Sequence, residues 1–413
     1  MCSISPELLK RRLDPTMVHV SIVIRYVVIN HNESSINIKE SFLGFFVIEK
    51  HGAQDYEELI TNILVKLDID INKCRGQGYD GASVMSGVYS GVQKRIKDKV
   101  PTASYIHCCA HNLNLVVSDA AKSSQKVVSS KKDEKATSLS LKKKLESMEF
   151  VLILCFWEKI LRALHGVTKS LQKQNTNLHN ACQNLNEAKT IIENLRDSYE
   201  NILLECKELC SRCGITPNFH VKRSRLAPQY FDEIDGDRRL NITDENFRAK
   251  IFLPVFDTVI FQLNARFQAL QEVTENFDFL FPTMLAKMDE NEICKASMDF
   301  FYLYNDDISS DFTRQLLCLR GLLNTNIQTI KDLALFIVKN DFCTTYCDVI
   351  TACIIYISLP VTVSTAERSF SKLKLIKNYL RNSMGQDRLS NISILNIERN
   401  VTNQVDLEKM IST

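Results

Sequence analysis

The stretch Leu359–Arg381, LPVTVSTAERSFSKLKLIKNYLR, decides how the rest of the chain is read. An extended Leu-Pro-Val-Thr-Val run leads to Ser364, which stands three residues before Glu367. Apolar residues then follow at Phe370, Leu373, Ile376 and Leu380, the spacing of one helical face. The pattern predicts a helix that begins at Ser364 or Thr365. On local spacing alone, Glu367 reads as the acid of a capping box whose carboxylate returns to the backbone N–H of Ser364.

Working outward, Thr345 to Ile357 is an apolar helix leading into this motif, and Leu389 to Ile397 is a further one behind it. At the other end of the chain, Val20 to Ile29 and Ile38 to Ile48 are rich in β-branched and aromatic residues. They read as two strands joined through Asn30 to Ser35. Asp55 to Leu67 repeats apolar residues on one helical face, Cys74 to Asp80 is a short strand, Gly81 to Val100 a helix, and Ala103 to Cys109 a strand before another helix. A hairpin followed by alternating helices and strands is most of an RNase H-like α/β layer.

The middle of the chain differs in character. Lys122 to Ser147 is rich in Ser, Lys and Thr, with Lys131-Lys132 and Lys142-Lys143-Lys144, and reads as a linker with a solvated surface. Phe150 to Cys213 is helical almost throughout and predicts two long helices paired across Asn175 to Asn180. Val221 to Arg239 is polar and holds the densest local basic patch, with Lys222, Arg223 and Arg225 as candidate DNA contacts. Helical sequence resumes at Asn246. The resulting division is 1–119, first part of the sheet domain; 120–149, linker; 150–342, helical insertion; and 343–413, a carboxy-terminal segment that completes the core. The fold class is therefore α/β, with an RNase H-like sheet interrupted by a large all-helical insertion.

Composition narrows the function classes. A formal charge of +2 demands no polyanionic partner, so any DNA contact must come from local patches. Fourteen cysteines spread over 413 residues, with no amino-terminal signal segment, point to reduced thiols in cytosol or nucleus. The longest strongly apolar run, Phe150 to Trp157, is far short of the roughly 20 residues that span a bilayer, so no membrane partner is expected. Cys206, Cys210, Cys213 and His220 have the spacing of no standard zinc finger.

The string S-T-A-E-R-S-F-S-K-L-K-L-I-K closely resembles the carboxy-terminal signature of hAT-superfamily transposases, in particular the branch of zinc finger MYM-type protein 1 and its transposon relatives. Cys74 to Ala121 resembles that family's second signature. The resemblance implies that Glu367 is the last acid of an Asp-Asp-Glu set and Asp80 the second. It places the segment containing Phe370, Leu373 and Ile376 in a dimerisation region. Cys108 and His111 match the family's Cys-x-x-His pair, read here as a structural pair through packing and hydrogen bonding, with a shared metal as the other reading. From the residues alone, Asp80 caps the helix that follows it; with the resemblance it becomes an acid facing a crevice. Such a site holds two Mg²⁺ ions about 4 Å apart.

The family's first acid belongs in a central strand, in an Asp-x-Thr-x-Asp motif roughly 16 residues ahead of the arginine that matches Arg25. Counting back reaches Leu9, with Asp14 near the motif's second, non-ligand Asp, and Pro6 to Arg12 is not an apolar strand ending in Asp. The expectation is an incomplete, amino-terminally truncated sheet with two exposed edges. The function expected is that of a catalytically inactive, transposase-derived nuclear protein, or a cytoplasmic one if no longer associated with DNA. It needs no cofactor, self-associates, and keeps possible residual DNA association through the basic patch. The alternatives are an active Mg²⁺-dependent DNA transposase of which this chain is a fragment, and an RNA nuclease on the same core.

Overall fold

The computed structural model describes residues 2–8, 18–128, 145–171, 177–219, 244–323, 326–377 and 384–405, with 2–8 and 123–128 described in backbone only. The chain divides into two compact units. The first comprises residues 1–112, 171–182 and 268–413, and the second residues 113–170 and 183–267. Residues 268–342, grouped by sequence with the helical insertion, thus belong to the unit that holds the sheet.

That unit is built on five strands: β1 (Cys2–Leu8), β2 (Val18–Asn30), β3 (Ser35–Ile48), β4 (Cys74–Tyr79) and β5 (Ser104–His107). Their order is β3-β2-β1-β4-β5. The hairpin β2–β3 and the pair β1–β2 are antiparallel, whereas β1–β4 and β4–β5 are parallel. The expected gap at the centre of the sheet is therefore filled, and the reading of an incomplete sheet with two extra free edges is corrected. Residues 2–8 take the slot through backbone hydrogen bonds, which place no demand on side-chain type. The β1–β4 ladder runs from Cys2 to Ile4 and stops two residues short of Pro6, which has no N–H to offer a second neighbour.

Each face of the sheet has its own core. On one face Val20, Ile22 and Ile48 pack with Tyr56, Ile60 and Leu64 of α1 (Ala53–Lys66) and with Val92 and Ile96 of α2 (Val92–Lys99). On the other, Val23, Phe42 and Phe45 pack with Ala366, Phe370, Leu373 and Ile376 of α3 (Ser364–Ile376) and Leu389 of α4 (Gln386–Ile397). A bulge makes this second core possible. The register slips between Ile22 and Val23, so that Ile22 pairs with Gly44 but Val23 with Phe42. One extra residue in β3 puts Phe42 and Phe45, an odd distance apart, on the same face. Gly44 takes φ +142° there, and a Cβ at this position would lie 2.5 Å from the Ser390 hydroxyl. The Phe45 ring sits 4.9 Å from that of Phe42, edge-on, and 5.2 Å from that of Phe370.

Two buried polar links tie the remaining helices of this unit to the sheet. Arg75 donates to both carboxylate oxygens of Asp307, at 2.5 and 2.6 Å. Arg25 donates to Glu40 at 2.8 Å and to the Ile357 carbonyl at 3.5 Å, near the end of α5 (Cys347–Ser358).

The second unit is helical. Met148–Leu171, Leu178–Asp197 and Tyr199–Arg212 replace the two expected long helices, the break falling at Ser198. Phe156, Tyr199, Phe252 and Phe256 form its aromatic core, with Phe252 stacked edge-on against both Phe156 and Tyr199. Cys206 and Cys210 are buried in this unit and Cys213 is exposed, so the three thiols are not presented together. His220, like the candidate DNA contacts Lys222, Arg223 and Arg225, lies outside the described residues, as do Leu9, Asp14 and Leu380. Among the described residues no helix is long and apolar enough to cross a membrane.

Candidate functional site

Asp80 follows the last residue of β4, at the carboxyl end of the parallel strands, where the loops of an α/β sheet leave a crevice. Its carboxylate accepts the Ala82 N–H at 3.3 Å. The next residue, Gly81, lets two rings approach: a Cβ there would be 2.9 Å from atoms of the His107 imidazole and 3.2 Å from Nε2 of His111. No side chain larger than hydrogen fits this turn without moving a ring.

Glu367 arrives from the far end of the sequence, and a short set of backbone contacts brings it to the same place. The Cys108 N–H donates to the Tyr79 carbonyl at 3.0 Å, the Cys109 N–H to the Val361 carbonyl at 3.3 Å, and the Val363 N–H to the Cys108 thiol sulfur at 3.5 Å. Val361 and Val363 belong to the extended run before α3, so the end of β4 and the start of α3 are both fastened to Cys108-Cys109. Val363, not Ser364, is the N-cap residue, and no side chain caps the helix. The capping-box reading of Glu367 therefore does not hold. Cys108 is buried with Ala110 and Val363 in a small apolar cluster.

The charge of Asp80 is felt at Glu367. Burial pushes the Glu367 carboxyl above its ordinary range, the nearby charges of His111 and Arg368 oppose this, and the charge of Asp80 adds to it. Burial likewise raises Asp80, against the Ala82 hydrogen bond and the charge of His111. Asp80 in turn contributes to the upward shifts of Tyr56, pushed to about 12, and of Tyr105. Asp80 and Glu367 are thus both partly buried, and the charge of His111 bears on each. The donors are hard oxygens, the kind that suit a divalent cation such as Mg²⁺. Among the described residues, however, no group of three or more His, Cys, Asp and Glu side chains is placed to hold a metal.

A position that the sequence reading missed is Glu7. It pairs with Ser21 in the β1–β2 ladder, and the Ser21 hydroxyl bonds that of Ser369, two residues beyond Glu367, at 2.8 Å. In the β1–β4 ladder Ile4 pairs with Gln77, so the same register carried three residues further brings Glu7 level with Asp80. Counting from Arg25 could not find it, because it presumes the spacing of an Asp motif. The available signal was the acid in CSISPEL itself.

The proposed dimerisation residues are placed differently from expectation. Phe370, Leu373 and Ile376 are 4%, 3% and 5% exposed and belong to the sheet's own core. Their periodicity marks the face that α3 buries against Phe42 and Phe45, and a partner chain cannot reach it.

Residues 332–401 match the hAT family C-terminal dimerisation region, and residues 15–91 match the ZMYM1/FAM200, RNase-like domain. The similarity is to hAT-derived proteins. The first of these stretches carries Glu367 and α3, the second the β2–β3 hairpin and Asp80. Among curated proteins, the chain is similar to the human 52 kDa repressor of the inhibitor of the protein kinase, at 30% identity over 97 residues. That alignment covers 24% of this chain and 12% of the human protein. The mouse protein of the same name is 29% identical over 96 residues, 23% of this chain and 12% of its own length. The chain therefore aligns with a small part of each relative, and the hAT-type resemblance is carried by the two matched stretches.

Proposed function

We propose that this is a transposase-derived nuclear protein that self-associates through its carboxy-terminal region and does not cut and join DNA. The observation that carries the second half is β1. The central strand is present but reads CSISPEL, with no aspartate at any position, so the hAT-type acid set is altered where the family places its first acid. Self-association is supported by the match of residues 332–401 to a dimerisation region. Residual DNA association, the RNase H-like interruption by a helical insertion, and the vestigial role of Asp80 and Glu367 belong to the same reading. Incubating the purified chain with supercoiled DNA and Mg²⁺ or Mn²⁺ tests it, the expected result being neither nicking nor strand transfer.

One observation favours a second reading, that of a metal-dependent nuclease or transposase. The β1–β4 register, continued past Ile4, brings the position of Glu7 level with that of Asp80, so an acidic residue stands on the strand that the family uses. A bound pair of divalent cations in such a site activates the attacking oxygen and stabilises the leaving one. The chain's own part would be to hold them, with Gly81 and Cys108 fixing the positions of the two described acids. Cleavage lost in both Asp80→Asn and Glu7→Gln would establish this reading over the first.

A further inference from the structure

The apolar side chains of the carboxy-terminal region fall into two classes. Those expected to meet a partner are spent on the sheet, whereas Leu375 is 71% exposed and Val401 57% exposed. Val401 lines a groove, and Leu375 stands one turn beyond its lining residue Lys372 on α3. Arg368 and Lys372, one turn apart on α3, form one wall, and Leu375 continues their stripe at i, i+4, i+7. Ile397 and Val401 form the opposite wall, and the groove encloses about 480 Å³.

Its charges are of both signs. Lys39, Arg368 and Lys372 line it together with Glu40 and Glu398. The two carboxylates are held in place, Glu40 by Arg25 and the Thr365 hydroxyl, and Glu398 by the Phe42 N–H at 2.6 Å. A surface that offers exposed Leu375 and Val401 beside charges of both signs is complementary to itself, as a twofold interface requires. A single-sign polyanion such as DNA would meet the two fixed carboxylates. Arg368, Lys372, Leu375, Ile397, Glu398 and Val401 lie within the stretch that matches a dimerisation region, whereas Lys39 and Glu40 come from β3.

We propose that this groove is the self-association surface, occupied by a second copy of the chain, with Leu375 of each copy seated against Val401 of the other. The proposal rests on the self-association reading and assigns it a surface. It also explains why the buried trio on α3 and the interface can coexist on one helix, since they occupy opposite faces.

Light scattering of the full chain across a concentration series, with Leu375→Glu, Val401→Glu and the control Leu204→Glu, tests it. Leu204 is 61% exposed on the helical unit and is not among the residues that line the groove. The expected result is a dimer whose dissociation constant weakens by about 30-fold or more in each groove variant, a hot-spot effect, and is unchanged in the control. Thermal midpoints measured at concentrations where wild type and variants are all monomeric should not differ, because both groove residues are exposed in the single chain. A wild-type dimer that persists unweakened in both groove variants overturns the surface and leaves the self-association reading standing. A wild-type monomer at every concentration overturns both.

Discussion

Replacing Arg25 with leucine should be the most damaging single change outside the apolar core. The guanidinium is 5% exposed and its partner carboxylate, Glu40, 12% exposed. Arg25 joins three parts of the fold: β2 through its backbone, β3 through Glu40, and the end of the α5 helix through the Ile357 carbonyl. Glu40 also accepts the Thr365 hydroxyl in the first turn of α3, so the pair sets where the Glu367 helix begins. Removing one partner of a buried pair costs about 3–5 kcal/mol, mostly because the other charge is left unpaired. Glu40 keeps the Thr365 hydroxyl and some solvent, which lowers the expectation to about 2–3 kcal/mol. Guanidinium unfolding followed by far-ultraviolet circular dichroism measures the loss. The double variant Arg25→Leu/Glu40→Leu should lie closer to wild type than the single one, since no charge is then stranded. A single-variant loss below about 1 kcal/mol, or a double variant worse than the sum of its parts, would show that the pair is not what fastens α3.

Two further outcomes follow from the same geometry. Asp80 and Glu367 titrate above their usual values of 3.8 and 4.5 because burial penalises their charge. The folded state then holds more protons than the unfolded one from those values upward, and stability falls as pH rises through the shifted range. Asp80→Asn and Glu367→Gln, which cannot ionise, should each raise the thermal midpoint at about pH 7 and flatten its dependence on pH; a lowered midpoint for both would contradict the burial described for the two acids. Phe370→Ala should cost about 3–5 kcal/mol by emptying the pocket against Phe45, whereas Leu375→Glu, five residues on, should cost almost nothing in stability. Equal losses in denaturant titrations would mean that α3 is not packed as described.

How much of this could be read from residues alone depends on where the information resides. The hairpin was legible because Val20 to Ile29 and Ile38 to Ile48 carry β-branched and aromatic residues in long runs, and the structure extends them only to Val18–Asn30 and Ser35–Ile48. β1 was not, because CSISPEL, although apolar at Cys2, Ile4 and Leu8 and polar between them, is short and carries Pro6; its place is fixed by the two neighbours that bond to its backbone. The α3 helix was legible from its period, but a period shows only that one face is covered. It cannot say whether Phe42 and Phe45 or a second chain does the covering, and here the answer depends on a bulge at Gly44. The proximity of Asp80 to Glu367 came from resemblance, and its physical cause, the contacts of Cys108 and Cys109 with Val361 and Val363, joins segments that no local pattern connects.

The central claim is that the sheet survives without its chemistry, and nicking of supercoiled DNA tests that most directly. Purified chain with Mn²⁺ should leave the plasmid intact, and Asp80→Asn should be indistinguishable from wild type. Nicking by wild type that disappears in Asp80→Asn would contradict the claim and make the acid crevice an active site.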